Sequence, residues 1–439
     1  MLKKNSLLVV FIFFISCNTQ QKTTVKKTET FHFKNVKIYE QPVNMGLGPC
    51  EPSIFINPLN TKNIVAGSVI DFVHTSFDGG KTWQTKHLKS KYGIWGDPCV
   101  VADYKGNFYY FHLSDPEGIN WRSEKVLDRM VVQKSTDGGK TWSEGVGIGK
   151  NSPKQQDKEW AVVNPFNNEI YLTWTEFDKY GSKNPNHHSR ILFSKSTDAG
   201  DTWSNPVKLS AIEGNAIDDN ATVEGAVQAV GENGEIYCAW SVNDAIYFDK
   251  SLDGGKTWLE NDIVATEQKG WGFDIKGFGR ANGMPVTTVD LSKSKYKGRI
   301  YINFADKRNG KNNSDVFLIK SDDKGKTWSK PKRVNTDNTV TEQFFTWMSV
   351  DPKTGFIYIV FYDRSKYQDT KTDVVLAVSK DGGETFTNTT ISESPFLPNP
   401  RVFFGDYNNI SAYDGVIRPI WTRYENNKLS IWTCLIEDK

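Results

Sequence analysis

The sequence predicts an all-β fold, a seven-bladed β-propeller, and three observations predict it. A phrase of the form Ser-x-Asp-x-Gly-x-Thr-Trp recurs six times, at residues 76–83 (SFDGGKTW), 135–142, 196–203, 251–258, 321–328 and 379–386, the last copy ending in Phe. Each copy sits in a unit of about 60 residues holding short apolar runs, the period of a blade of four antiparallel strands. Strand formers dominate throughout, and no long stretch keeps a 3.6-residue apolar period.

In chain order, Lys3 and Lys4 precede nine apolar residues, 7–15, and then Ser16-Cys17. That run is too short to span a bilayer, which needs roughly 20 helical residues, and reads as an export signal. The stretch resembles a bacterial lipoprotein signal, which implies a signal peptide over 1–16 and lipidation at Cys17; an ordinary cleaved secretory signal is the alternative. Residues 17–30 (CNTQQKTTVKKTET) form a polar tether with nothing to bury. The expected product is an exported, lipid-anchored protein of the cell envelope, facing the periplasm or the cell surface, with residues 31–439 as one propeller domain.

The chain carries a formal charge of +2, and removal of Lys3 and Lys4 with the signal brings it to zero. A neutral balance argues against nucleic acid and against any membrane contact beyond the lipid anchor. A monomer is expected. Cys50, Cys99, Cys238 and Cys434 are scattered like isolated buried thiols.

Inner strands begin near Glu51 (EPSIFIN), Asp97 (DPCVVAD), Glu159 (EWAVVN), Glu224 (EGAVQAV), Asn282 (NGMPVTTVD), Thr346 (TWMSVD) and Asp406 (DYNNISAY), which makes seven blades for six phrases. The seventh unit stops after its third strand, at residues 429–436. An unpaired run at 31–39 (FHFKNVKIY) is expected to supply the missing outer strand and close the ring. A six-bladed ring, with the C-terminal strands as an appendage, is the alternative.

Within the phrase, the glycines suit a turn with positive φ, the Asp and hydroxyl side chains can bond the backbone inside it, and the Trp supplies an apolar plug. Six equivalent copies fit a structural role, because a catalytic site is singular. The phrase sits between the third and fourth strands of each blade. The loops between second and third strands, among them 114–129, 176–190, 306–315 and 363–373, therefore open on the other face, where binding is expected. There the inner strands bring Glu51, Asp97, Glu159, Glu224 and Asp406 around one funnel, beside Trp95, Trp160, Trp347 and Tyr407, with Arg280, Arg364 and Arg401 nearby. Carboxylates, aromatics and arginines around one mouth suit an acidic sugar. The six histidines show no metal-ligand spacing, so no cofactor is expected, a Ca²⁺ ion within the carboxylate ring being the alternative.

The six phrases resemble the Asp-box (BNR) repeat family, known from sialidases and related carbohydrate-active propellers. The stretch VEGAVQAVGENGEIYCAW resembles the family segment bearing the Glu that activates the nucleophile, which implies that role for Glu224. Likewise GDYNNISAYDGVIRPIWT resembles the last-blade segment bearing the nucleophilic Tyr, which implies Tyr407. Asp71 falls where the family's acid/base Asp lies, and Asp97 competes with it. The family's arginine in the first inner strand is absent from GPCEPSIFINP, and Trp240-Ser241 stands where a second is expected. Arg280, Arg364 and Arg401 would then form a different clamp for the substrate's acid group. The resemblance implies a sialidase-like glycoside hydrolase acting on acidic or substituted glycans. A polysaccharide lyase on uronate polymers, drawing its base from His112 or His187-His188, and a non-catalytic glycan-binding protein are the alternatives.

Overall fold

The computed structural model describes residues 33–42 and 47–438; the expected signal peptide, Cys17 and the tether lie outside them. Seven antiparallel sheets form the ring of a seven-bladed β-propeller, six of four strands and one of five. Blade 2 is typical: Cys99–Ala102, Phe108–Leu113, Met130–Ser135 and Val146–Ile148 pair in chain order from inside to outside. The second strands are buried on both faces, as in Phe108–Leu113, Ile236–Val242 and Ile357–Asp363, because each sheet is covered by both neighbours.

Blade 7 is completed by the N-terminal segment. Lys34–Glu40 pairs antiparallel with Lys428–Glu437, from Lys34 opposite Leu435 to Glu40 opposite Ser430, with one register shift between Lys37 and Tyr39. The C-terminal strands therefore belong to a full blade, which excludes the six-bladed alternative.

The repeated phrase stitches each blade to the one before it. In blade 2, Asp137 accepts the N–H groups of Lys140 and Thr141 and the Thr141 hydroxyl at 2.6–3.0 Å, while the Ser135 hydroxyl accepts the Gly139 N–H. Burial pushes the Asp137 acid up, but the bonds from Thr141 and Ser135 outweigh it and hold it at about 2. The turn then offers its carbonyls to blade 1, whose Thr75 hydroxyl donates to Gly139 and whose Asn63 amide donates to Gly138. The same docking recurs from Lys195 to Gly254, Lys250 to Lys324 and Arg299 to Gly382. Arg418 of blade 7 donates to Gly79 of blade 1 and locks the ring at its junction. Blade 7 has no phrase to dock on blade 6; there Asp351 accepts the Asp414 and Gly415 N–H groups, and Lys380 pairs with Asp438. The third copy packs Trp203 edge-on against Phe111 of blade 2 at 5.8 Å, so six copies serve six junctions, and the blade without a phrase is the one in which the N-terminal and C-terminal strands pair.

The inner strands start differently from the sequence expectation. Glu51, Asp97, Lys158, Gly225, Phe345 and Gly405 all take positive φ, between 50° and 87°, two residues before Ser53, Cys99, Trp160, Val227, Trp347 and Tyr407. In blades 3, 4 and 6 the ladder register shifts at this point, the mark of a β-bulge that re-aims a side chain. The residue of blade 3 equivalent to Glu51 and Asp97 is therefore Lys158, not Glu159. Gly225 is required as glycine, because a Cβ there would lie 2.6 Å from the Trp271 ring. Blade 5 departs further: Ala281–Asn282 pairs with Gly272–Phe273 in a separate ribbon, and the inner strand begins at Val286.

Trp160 and Trp347, with ring centroids 4.3 Å apart, and Tyr407, 5.8 Å from each, plug the channel. Beneath the plug a cavity of about 220 Å³ is lined without a single charged residue, whereas the charged inner-strand starts lie at the other end. The four described cysteines are free and buried.

Candidate active site

Above the plug the bulged strand starts deliver a charged hub. The Lys158 ammonium is buried, bonds Asp406, and lies 3.4 Å from Asp97 and 3.8 Å from Glu51. Burial alone would push that ammonium down, but Asp406, Asp97 and Glu51 outweigh it and keep it charged. Arg280, carried in by the ribbon, donates from Nε to Asp406 at 2.7 Å and from Nη1 to Asp218 at 3.2 Å, with Nη2 also on Asp406. Burial pushes Asp406 up, yet Lys158 and then Arg280 hold it well below the usual carboxylate range. Glu51 accepts the Asp406 N–H at 3.0 Å, and burial followed by Asp97 pushes its acid well up.

Beside the hub opens a cleft of about 390 Å³ whose walls include Lys158, Arg280 and Lys307 as cations and Asp218, Asp274 and Asp406 as carboxylates, with Trp271 and Phe273. Glu224 also lines it. That side chain is fully buried, and neither carboxyl oxygen has a hydrogen-bond partner. Burial, then the neighbouring Asp218, pushes its acid well above the ordinary range, which favours the protonated form. Lys158 and Arg280 are already engaged by Asp406 and Asp218, whereas Lys307, among the described residues, donates only to the Asp274 carbonyl.

Of the residues expected at the mouth, Glu51, Asp97, Asp406 and Arg280 assemble in the hub and Glu224 in the cleft wall. Glu159 lies beside Tyr407 with both oxygens unpartnered, its acid pushed well up by burial and Asp97. Trp160, Trp347 and Tyr407 form the plug; the Tyr407 hydroxyl donates to the Pro98 carbonyl at 3.4 Å, and burial holds the phenol neutral. Trp95 stands at the rim, 6.0 Å from Trp121. Asp71 is bonded to His87 Nδ1 at 2.9 Å, in the outer half of blade 1. Arg364 is buried between the rings of Phe278 and Phe344 and bonds Thr372, whereas Arg401 is exposed. The three-arginine clamp is therefore not assembled, and Arg280 alone of the three lines the cleft. His112 donates to the Leu113 carbonyl inside blade 2, its basicity pushed down to about 4 by burial, and His187 bonds Ser182 in its loop. Among the described residues no group of three or more His, Cys, Asp or Glu could hold a metal ion.

Lys158, Asp218, Tyr180 and Lys307 escaped the sequence reading. The signal that could have found Lys158 is QQDKEW, a basic residue two positions before an inner-strand aromatic. Tyr180 donates to Asp218 Oδ2 at 2.6 Å, which binds the phenol to the same carboxylate as Arg280.

Next to Lys158, burial and Asp97 push the Asp157 acid up to about 7. A carboxyl that keeps its proton only in the folded state destabilises the fold as pH rises from its unfolded value toward its folded one. Asp157→Asn abolishes that contribution. The variant is expected to gain on wild type by about 1.4 kcal/mol per pH unit between pH 5 and 7, read from urea midpoints at the two pH values. A pH-independent difference would show that Asp157 is ionised in the fold.

Comparison with known proteins follows the same lines. The BNR repeat-like domain model matches residues 242–432, and the BNR/Asp-box repeat model matches 133–144. A sialidase of Bacteroides fragilis is 30% identical over 108 residues, which cover 20% of this chain; the chain spans about a fifth of that sialidase, 19%. Among solved structures, an ulvan lyase bound to -[GlcA(1-4)Rha3S]- matches 91% of this chain and 96% of its own at a TM-score of 0.54 and 13% identity. The NanB sialidase of Streptococcus pneumoniae matches 86% and 82% at 0.51 and 11%. At such identities the structural likeness concerns the fold alone. With both repeat models matched on part of its length and the ring closed blade to blade, the chain is similar to the sialidase-like BNR/Asp-box repeat β-propellers.

Proposed function

We propose that the chain is a carbohydrate-active enzyme of sialidase-like type that cleaves an acidic glycan in the 390 Å³ cleft, exported and held at the envelope by a lipid on Cys17, and acting as a monomer. The observation that carries this reading is Glu224, a buried, unpartnered carboxyl facing a cleft that also presents Arg280. A carboxyl whose burial favours its protonated form is suited to protonate a glycosidic oxygen as its bond breaks. Arg280 and Lys307 offer charge to the acid group of the sugar. The phenol available for attack is Tyr180, whose proton can pass to Asp218 as its oxygen becomes nucleophilic.

A second reading, elimination from a uronate polymer, is favoured by the Tyr180–Asp218–Arg280 chain. Arginine beside the uronate carboxylate would acidify the neighbouring C–H, and the phenol–carboxylate pair would move the proton. Incubation of the full chain with sialosides, uronate polymers and rhamnose-containing glycans tests the proposal. Release of a free acidic sugar is expected. An ultraviolet-absorbing 4,5-unsaturated uronate would establish the lyase instead, and binding without turnover would reduce the protein to a glycan receptor.

A further inference from the structure

Next to Asp218 in the cleft wall three aromatic rings from three different loops meet. Trp121, in the short 3-10 turn Asn120–Arg122, is 50% exposed; it stacks on Tyr180 at 5.3 Å and meets Trp95 edge-on at 6.0 Å. A tryptophan this open covers no core, and its exposure is maintained by a braced loop. Asp115 accepts the Asn120 N–H at 3.0 Å, Glu117 accepts from Ser123 at 2.7 Å and from Lys125 at 2.6 Å, and the Leu127 backbone bonds Ser114 and Gln156. An exposed apolar face on a rigid loop marks a contact surface. Its inner end is Tyr180, which hydrogen-bonds Asp218, which in turn accepts from Arg280. The platform is thus joined to the wall of the charged cleft through the Tyr180–Asp218 bond.

Resting on the reading of the cleft as an acidic-glycan site, we infer that Trp121 is the stacking platform of a second subsite. It takes the sugar ring adjoining the acidic one, so the substrate is an oligosaccharide or longer chain leaving the cleft between blades 2 and 3. A pyranose presents an apolar face of axial C–H groups that matches a flat indole, and its hydroxyls stay in water at the open side. Trp95 forms the upright back of this shelf and Tyr180 joins it to the cleft.

The test is calorimetric titration of the full chain carrying Glu224→Gln, so that sugar is not consumed. The probes are N-acetylneuraminic acid, glucuronic acid, sialyllactose and a glucuronate–rhamnose tetrasaccharide. Adding Trp121→Ala is expected to weaken the oligosaccharide that binds by about two- to ten-fold, the range of an aromatic stacking contact. It should leave the corresponding monosaccharide acid unchanged, while Trp121→Phe retains most of the affinity. Equal weakening of monosaccharide and oligosaccharide, or an unchanged oligosaccharide, would overturn the subsite and leave the proposed function standing. If no acidic sugar of any length binds the Glu224→Gln protein or the wild type, both readings fall together.

Discussion

Lys158→Met is expected to lower the unfolding free energy by about 3–5 kcal/mol, the range for removing one partner of a buried charge cluster. The ammonium is the hub's own cation. It sits among Asp406, Asp97 and Glu51, at the place where a ring of carboxylates would otherwise need an ion from solution. Taking it away leaves Asp406 buried with Arg280 as its remaining cation and Asp97 facing Glu51 with none between them. Urea denaturation of the full chain measures the effect. Its pH dependence has a definite sign. Asp406 is held below its unfolded value, so its contribution is present above about pH 4 and fades as pH falls toward its folded value. The gap between wild type and variant should narrow on acidification, and Lys158→Arg should recover part of the loss. A Lys158→Met protein as stable as wild type at pH 7 would show the hub to be solvated.

Glu224→Gln is expected to reduce kcat on the glycan that is turned over by about a hundred- to ten-thousand-fold, the usual contribution of a positioned acid. The folded state should be retained, because the amide has the carboxyl's shape and removes a group that resists ionisation where it lies. Wild-type activity should decline as pH rises through the raised value of Glu224, since the working form is the protonated one, and the variant should lack that alkaline limb. A nitrophenyl glycoside, whose leaving group needs little protonation, should suffer a smaller loss. Full activity in the variant would remove Glu224 from the chemistry.

The ring was legible because its evidence is repeated. Six similar phrases and seven inner strands made the blade count and the closure by the N-terminal strand readable in the chain itself. The site was legible only in part, and the reason is local. In QQDKEWAVV a single bulge decides whether Lys158 or Glu159 enters the hub, and hydrophobic alternation cannot register a left-handed residue just ahead of a strand. Glu224 stood out through its resemblance to a family segment, and the structure gives it a buried setting of its own. The same resemblance pointed to Tyr407, whose ring the structure uses to plug the channel. Trp121 and Tyr180 lie in loops 114–129 and 176–190, which were readable as binding loops, but without a repeating counterpart nothing singled out these residues, or Asp218, before the loops were seen to converge.

A ribosome can only deliver this ring open. The edge that Lys34–Glu40 must find belongs to Lys428–Glu437, the last described strand to be made, so the earliest partner waits for almost the whole chain to be synthesised. Until those ten residues arrive, blade 7 lacks its third strand and the segment at the beginning has no ladder to join. Completion is therefore a single late event, and a nascent chain cut short by one strand would present two unsatisfied edges in place of a closed circle.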